Sequence, residues 1–319
     1  MKKGFIKKQI SNQYEIIDFQ TKTTYLASAR GKLRYVTLDE KSTFHRQTTK
    51  RLKTDKKITQ ISPKVGDHVL YQEIDNHVYI EEVLPRINDL TRPDVANVDQ
   101  VLLVFSAVEP DFSFLLLDRF LIIMNKENLK PVIIISKIDL IGNDELIELK
   151  LKLKYYEEKL NIPIYYVNNI DRIGIYELKA IFKDKITVLA GQTGVGKSSL
   201  LNAFMPDLNL ETQEISEALG RGKHTTRHTE LFFYEDGYIC DTPGFSKIEM
   251  SVLFDYELKD YYEDFNNLAD KCRFKNKCLH DKEPNCNVKD AYNNDKMLKS
   301  RYENYIYFLE EIRTQKARY

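Results

Sequence analysis

The chain has 319 residues, 42% of them hydrophobic, which is enough apolar material for two or three folded domains and too much for a disordered protein. Its 48 Lys and Arg balance 48 Asp and Glu, yet residues 1–64 alone hold 16 basic against 5 acidic side chains, a surplus of 11. The start, Met1-Lys2-Lys3-Gly4-Phe5-Ile6, has no secretory apolar run and no stretch approaches the roughly 18 apolar residues of a membrane helix, so a cytoplasmic protein without a membrane partner is expected.

From residue 1 to about 90, short alternating segments at 5–10, 14–19, 24–28, 68–74 and 78–84 predict five strands and a small β-barrel. An OB-fold, whose open face and loops bind oligonucleotides, is the natural candidate; an SH3-like barrel gives nearly the same spacing. The basic surplus of this module points to a polyanionic partner, because Lys and Arg release counterions from phosphate backbones. The simpler reading is a solvated lysine-rich surface. Arg30, Lys32, Arg34, Lys50, Arg51 and Lys53 are the candidate RNA contacts. The polar segment from Asp39 to Lys64 is expected to be an exposed, mobile loop.

Pro85 and Pro93 punctuate a boundary near residue 90. Beyond it, apolar strands at 100–108, 131–136, 164–167 and 186–190 alternate with helices at 114–125, 144–160 and 175–182, which predicts a doubly wound α/β domain covered on both faces. Segments 232–234 and 238–240 predict an antiparallel pair joined by Glu235-Asp236-Gly237. After Met250 the chain turns helical and is expected to finish in one helix over 289–312.

Chemistry concentrates at five places. The strand at 186–190 runs into Gly191-Gln192-Thr193-Gly194-Val195-Gly196-Lys197-Ser198-Ser199, a phosphate-binding loop before a helix at 199–204. Its glycines let backbone amides curl around phosphates, Lys197 would reach the β and γ groups, and the Ser198 hydroxyl would ligate magnesium. Asp241-Thr242-Pro243-Gly244 follows a strand, where Asp241 can reach the magnesium shell and the Gly244 amide can swing to the γ phosphate. Between them, Gly220-Arg221-Gly222-Lys223-His224-Thr225-Thr226 reads as a switch segment in which Thr225 or Thr226 completes that shell; the spacing does not choose between them. Ser136-Lys137-Ile138-Asp139 follows the strand at 131–136: Asp139 can accept two hydrogen bonds from guanine N1 and its exocyclic amine, and Lys137 can lie over the base. Phe245 stands where a water-orienting glutamine often follows the Asp-x-x-Gly, and phenylalanine cannot orient water. Slow intrinsic hydrolysis is expected, with His224 the nearest candidate for a catalytic polar group and a solvated loop histidine its plainer interpretation. The fifth place is Cys272-x5-Cys278-x-His280-x5-Cys286, a complete tetrahedral set for one structural zinc ion with no open position. Cys240 lies apart and is expected in a core.

The Lys-x-Asp precedes the phosphate loop, whereas ordinary GTPases carry the phosphate loop first, so a circularly permuted GTPase is implied. A basic barrel, a permuted GTPase and a Cys/His element together resemble the small ribosomal subunit biogenesis GTPases of the RsgA type. The resemblance covers essentially the whole chain and rests on Ala29-Arg30-Gly31-Lys32-Leu33-Arg34, on Arg92-Pro93-Asp94-Val95-Ala96-Asn97-Val98-Asp99-Gln100, on Gly191 to Ser199, on Gly220 to Thr226 and on the zinc ligands. It implies an OB-fold barrel, a permuted P-loop GTPase and a mainly helical zinc-binding C-terminal domain, here divided at 1–88, 89–249 and 250–319. It further implies binding to the small subunit and its rRNA, subunit-stimulated hydrolysis of GTP to GDP, help in late maturation, and a monomer that uses magnesium with GTP. A switch histidine, matched by His224, is implicated in hydrolysis in that family.

Three departures stand out. Ser136 replaces the usual Asn or Thr and is expected to lose an amide contact to guanine and to the phosphate loop. Asn168-Asn169 replaces a Ser-Ala that offers a backbone amide to the guanine oxygen. The segment from Asp39 to Lys64 is longer than the usual barrel loop and is expected to add rRNA phosphate contacts. Other readings are a P-loop NTPase of different nucleotide preference, an rRNA checkpoint or chaperone in which hydrolysis is a release timer, and a large-subunit assembly GTPase of similar permutation.

Overall fold

A computed structural model describes residues 1–30, 36–37, 58–59, 62–91, 93–206, 229–245 and 254–316, with the backbone alone at 36–37, 58–59, 241–245 and 316. The N-terminal strands are β1 (Lys2–Ile10), β2 (Gln13–Asp18), β3 (Thr24–Ala29), a short pair β4 (Val36–Thr37) and β5 (Ile58–Thr59), then β6 (His68–Ile74) and β7 (His77–Val83). Alternation puts Ile6, Ile16, Ala27, Val69, Tyr71 and Ile80 in the interior, where all are buried. Asp75 and Asn76, both at positive φ (49° and 59°), make the two-residue turn between β6 and β7, as short polar side chains permit. The five long strands close in the order β1-β2-β3-β7-β6-β1. The β3 and β7 strands run parallel, which an all-antiparallel SH3-like meander does not allow, so the barrel is the OB type.

Buried charge ties the barrel to the hairpin that leads out of it. Arg86 grips Asp67 through Nε at 2.5 Å and Nη2 at 2.7 Å, and reaches Asp89 through Nη1 at 2.9 Å. Asp89 opens the hairpin of β8 (Asp89–Thr91) and β9 (Asp94–Ala96). Lys64, expected at the end of a mobile loop, is instead tied down: its Nζ pairs with Asp89, lies 2.7 Å from Asp94 and donates to the Leu90 carbonyl at 2.9 Å. Three acceptors around one ammonium outweigh the polarity of its sequence neighbourhood. Residues 39–61 of that segment lie outside the described residues, apart from the β5 backbone.

The central layer contains β10 (Gln100–Ser106), α1 (Phe114–Lys126), β11 (Pro131–Ser136), α2 (Asn143–Leu160), β12 (Ile164–Tyr166), α3 (Ile175–Leu178), β13 (Ile186–Ala190), α4 (Lys197–Phe204), β14 (Glu230–Tyr234) and β15 (Gly237–Phe245). Ser113 caps α1 by accepting the Leu116 N–H at 3.2 Å. The sheet order is β12-β11-β10-β13-β15-β14, parallel except for β14. Strands β10 and β13 are buried along their whole length, which explains their unbroken apolar runs. From β10 the chain steps outward to β11 and β12, then returns to the other side of β10 for β13. That reversal opens a crevice beyond the carboxyl ends of β10 and β13.

The C-terminal layer holds a 3-10 turn (Leu258–Tyr261), α5 (Glu263–Ala269), α6 (Asn287–Asn293) and α7 (Lys299–Lys316). The single helix expected over 289–312 is two helices. Helix α6 ends where Asp295 takes φ 55°, with the Lys296 N–H on the Ala291 carbonyl at 2.9 Å and the Asp295 N–H on Tyr292 at 3.3 Å. This is a left-handed cap of the Schellman kind, and Asn293-Asn294-Asp295 supplies residues that tolerate it. Tyr262, Phe265, Tyr305, Phe308 and Leu309 form a core that reaches Ile122 of α1. Among the described residues, no helix is long and apolar enough to cross a membrane.

Candidate nucleotide site and metal centre

At the crevice, β13 delivers Gly191 directly into the phosphate loop. Gly191 has φ 145°, and a Cβ there would lie 2.2 Å from the Val104 carbonyl oxygen of β10; Gly196, at φ 89°, ends the loop. Only glycine fits both the close approach and the backbone angle. Helix α4 begins at Lys197 and places Ser198 and Ser199 in its first turn, where backbone N–H groups have no intrahelical acceptor. The Lys197 ammonium folds back onto the loop, donating to the Gly191 carbonyl at 2.8 Å and to Gln192 at 2.5 Å. Burial pushes this amine down to about 8.

Register brings the Lys-x-Asp turn alongside. Ser106 pairs with Ser136 across β10 and β11, and Leu103 pairs with Ala190 across β10 and β13, so the strands end on one edge. Ser136 is buried, and its hydroxyl lies 2.6 Å from the Val195 carbonyl and 3.1 Å from that of Phe105. The expected loss of contact with the phosphate loop is therefore corrected: the hydroxyl is close enough to make it without an amide. Lys137 takes φ 58° and its ammonium donates to the Glu109 carbonyl. Ile138 and Asp139 follow in a 3-10 turn (Ile138–Leu140) that leaves Asp139 exposed.

Of the Asp-Thr-Pro-Gly motif the backbone is described. Val188 pairs with Cys240 and Ala190 with Phe245, so residues 241–244 stand opposite Leu189 alone and bulge at the edge beside the phosphate loop. His224, Thr225 and Thr226 lie outside the described residues, as do Lys32, Arg34, Lys50, Arg51 and Lys53. Arg30 is described: it pairs with Glu81 at 2.8 Å and lies over the Tyr79 ring at 4.9 Å. Cys240 is buried, as expected.

Cys272, Cys278, His280 and Cys286 converge, with one ligand atom from each lying within 4.8 Å of all the others. Cys272 Sγ is 3.7 Å from His280 Nδ1 and 3.8 Å from Cys286 Sγ, and His280 Nδ1 is 3.3 Å from Cys286 Sγ. Sulfur and nitrogen ligands around a tetrahedral zinc ion stand about 3.5 to 3.8 Å apart, so Cys272, His280 and Cys286 are spaced near what such an ion requires, with Cys278 Sγ within 4.8 Å of them. Burial pushes the His280 imidazole down to about 4, the neutral form a metal needs. The Asn287 N–H donates to Cys272 Sγ at 3.3 Å, while Tyr302 and Tyr305 hold the carbonyls of His280 and Leu279 at 2.7 and 2.6 Å.

Of two further participants, one has no signal in the sequence and the other only a partial one. The loop at Glu109, which receives Lys137, carries no motif to announce it. Asn169 is marked in the sequence by standing where a Ser-Ala is usual, but not for its side chain, whose amide reaches the phosphate loop with Nδ2 3.3 Å from the Gly196 carbonyl.

A phosphate loop at the reversal of an α/β sheet, with a Lys-x-Asp turn encoded ahead of it, defines a P-loop GTPase domain of permuted order. The family model described as RsgA GTPase matches residues 83–251. The chain is 46% identical over 322 residues to the small ribosomal subunit biogenesis GTPase RsgA of Phytoplasma australiense, covering 100% of this chain and 99% of that protein. It is 46% identical over 263 residues to the Bacillus subtilis (strain 168) protein of the same name, covering 82% and 87%. The crystal structure of YloQ, a circularly permuted GTPase, superposes with a TM-score of 0.78 at 35% identity, covering 100% of this chain and 97% of that one. YjeQ from Thermotoga maritima gives a TM-score of 0.76 at 35% identity, covering 98% of each. The chain belongs to the RsgA GTPase family.

Proposed function

We propose that this chain is a GTP hydrolase of small ribosomal subunit biogenesis, which binds the subunit, hydrolyses GTP to GDP and phosphate faster in its presence, and assists late maturation. One contact carries this reading: Ser136 Oγ lies 2.6 Å from the Val195 carbonyl, so the base-reading turn and the phosphate loop, 59 residues apart, form one site. Within it, Asp139 accepts from guanine N1 and the exocyclic amine, the loop amides and Lys197 hold the phosphates, and the Gly244 amide meets the γ phosphate. Ser198, Asp241 and either Thr225 or Thr226 would hold magnesium, which when bound neutralises charge on the β and γ oxygens. His224 supplies the polar group that Phe245 cannot.

The three modules are residues 1–88, 89–249 and 250–319, the last built on one zinc ion. Arg30, with Lys32, Arg34, Lys50, Arg51 and Lys53, gives the barrel its rRNA contacts, and the protein works as a cytoplasmic monomer. Phosphate release measured with GTP and with ATP, each with and without purified small subunits, tests the reading. Turnover is expected with GTP only and is expected to rise when subunits are added. Equal use of ATP, or indifference to the subunit, would refute it.

A further inference from the structure

Where Ser136, Asn169 and Gly196 meet, the supply of hydrogen-bond donors is uneven. A serine hydroxyl has one proton to give. Ser136 lies 2.6 Å from Val195 O, well inside its 3.1 Å separation from Phe105 O, so that proton goes to the phosphate loop. The next carbonyl along the loop, that of Gly196, is met instead by Asn169 Nδ2 at 3.3 Å. Turning the amide over would set its oxygen against the Gly196 oxygen, so the donor must face the loop. The same three residues crowd one spot: a Cβ on Gly196 would lie 3.2 Å from Asn169 Nδ2 and 3.7 Å from Ser136 Oγ.

The two asparagines after β12 have divided the work. Asn168 is buried and is used up locally, with Oδ1 accepting from the Ile170 N–H at 2.8 Å and from Asp171 at 3.2 Å, and Nδ2 donating to the Asp171 carboxylate at 2.6 Å. Asn169 makes no such turn. Its Oδ1 is buried with no hydrogen-bond partner among the described residues, an arrangement that costs desolvation and gives the empty fold nothing in return.

Resting on the nucleotide-site reading above, we propose that Asn169 is a positioning residue of that site. Its amide fastens the base-side loop to the phosphate loop at Gly196, supplying the second donor that a serine at position 136 lacks. The base pocket and the phosphate cradle are thereby held at a fixed separation before nucleotide arrives, which lowers the ordering that binding must impose.

The test is binding of a fluorescent N-methylanthraniloyl GDP to the full-length protein, with thermal melts of the nucleotide-free forms. Asn169→Ala is expected to bind roughly tenfold more weakly, mainly through faster release, while the empty protein melts no lower than wild type because a buried orphan oxygen has gone. Ser136→Asn placed on Asn169→Ala returns an amide from the β11 side, with the vacated space to receive it, and is expected to bind within about threefold of wild type. Wild-type binding by Asn169→Ala overturns the proposal. So does a loss that comes with a lower melting temperature, or one that the double variant fails to recover. If the wild-type protein itself does not bind the probe, the nucleotide-site reading fails, and the proposal with it.

Discussion

Lys197, proposed above to hold phosphate, has its proton affinity lowered by burial into a range where a change of state can be followed. Burial holds it near 8, below the about 10.4 of a free lysine. Between those values the unfolded chain binds the proton more tightly than the folded one, so the empty protein gains stability as pH rises from about 8 to about 10. Phosphate binding reverses the balance, because an anion beside the amine restores its charge. GDP affinity is therefore expected to hold up to about pH 8 and fall above it, with proton uptake on binding visible by calorimetry in two buffers of different ionisation enthalpy; a flat affinity from pH 7 to 9.5 would contradict this. Gly191, Gly196 and Lys197 were legible in the sequence because a phosphate loop is local, its backbone angles and spacing written in nine consecutive residues. The contacts of Ser136 with Val195 and of Asn169 with Gly196 were not, since they depend on register between strands that sequence pattern leaves open.

Elements were legible in proportion to how far their cause is local. Strands β11 and β13 are found at their expected bounds because each is a short apolar run closed by polar or glycine residues. The OB-fold could not be told from its rival by spacing, because the deciding β3 and β7 pair joins Ala27 to Val78 across the long polar segment. The break between α6 and α7 was written in Asn293-Asn294-Asp295, but the apolar period on either side concealed it. The Cys/His cluster was legible as a ligand set, and its closeness makes a firm prediction. The purified protein is expected to carry one equivalent of zinc by elemental analysis. Stripping it with a chelator, or replacing Cys286 with Ser, is expected to lower the melting temperature and unravel the segment between α5 and α6. An unchanged melt after complete metal removal would show that the helices alone suffice.

At the scale of the whole molecule, a single buried guanidinium binds the C-terminal layer to the central one. Arg301 of α7 reaches Asp118 of α1 at 2.7 Å and Asp264 of α5 at 3.2 Å, while Tyr156 and Asn304 complete the Asp118 carboxylate at 2.8 and 2.7 Å. Nothing in the sequence pairs residues 183 positions apart. Arg301→Ala leaves a buried carboxylate without its cation and is expected to cost about 3 to 5 kcal/mol in urea unfolding. Replacing Arg301 and Asp118 together by Met and Leu is expected to recover part of that loss, and a single variant as stable as wild type would refute the clamp.

The barrel also lies against the sheet. Strand β14 is the outermost strand of the central layer, and β1 runs antiparallel beside it at Lys8 and Glu230, whose side chains pair at 2.5 Å. A bare strand edge is a template for other chains. Synthesis makes the barrel first, and domains fold in the order they emerge. The N-terminal module is therefore already on hand as a guard when β14 takes its place in the sheet, so the order of domains along the chain protects its folding.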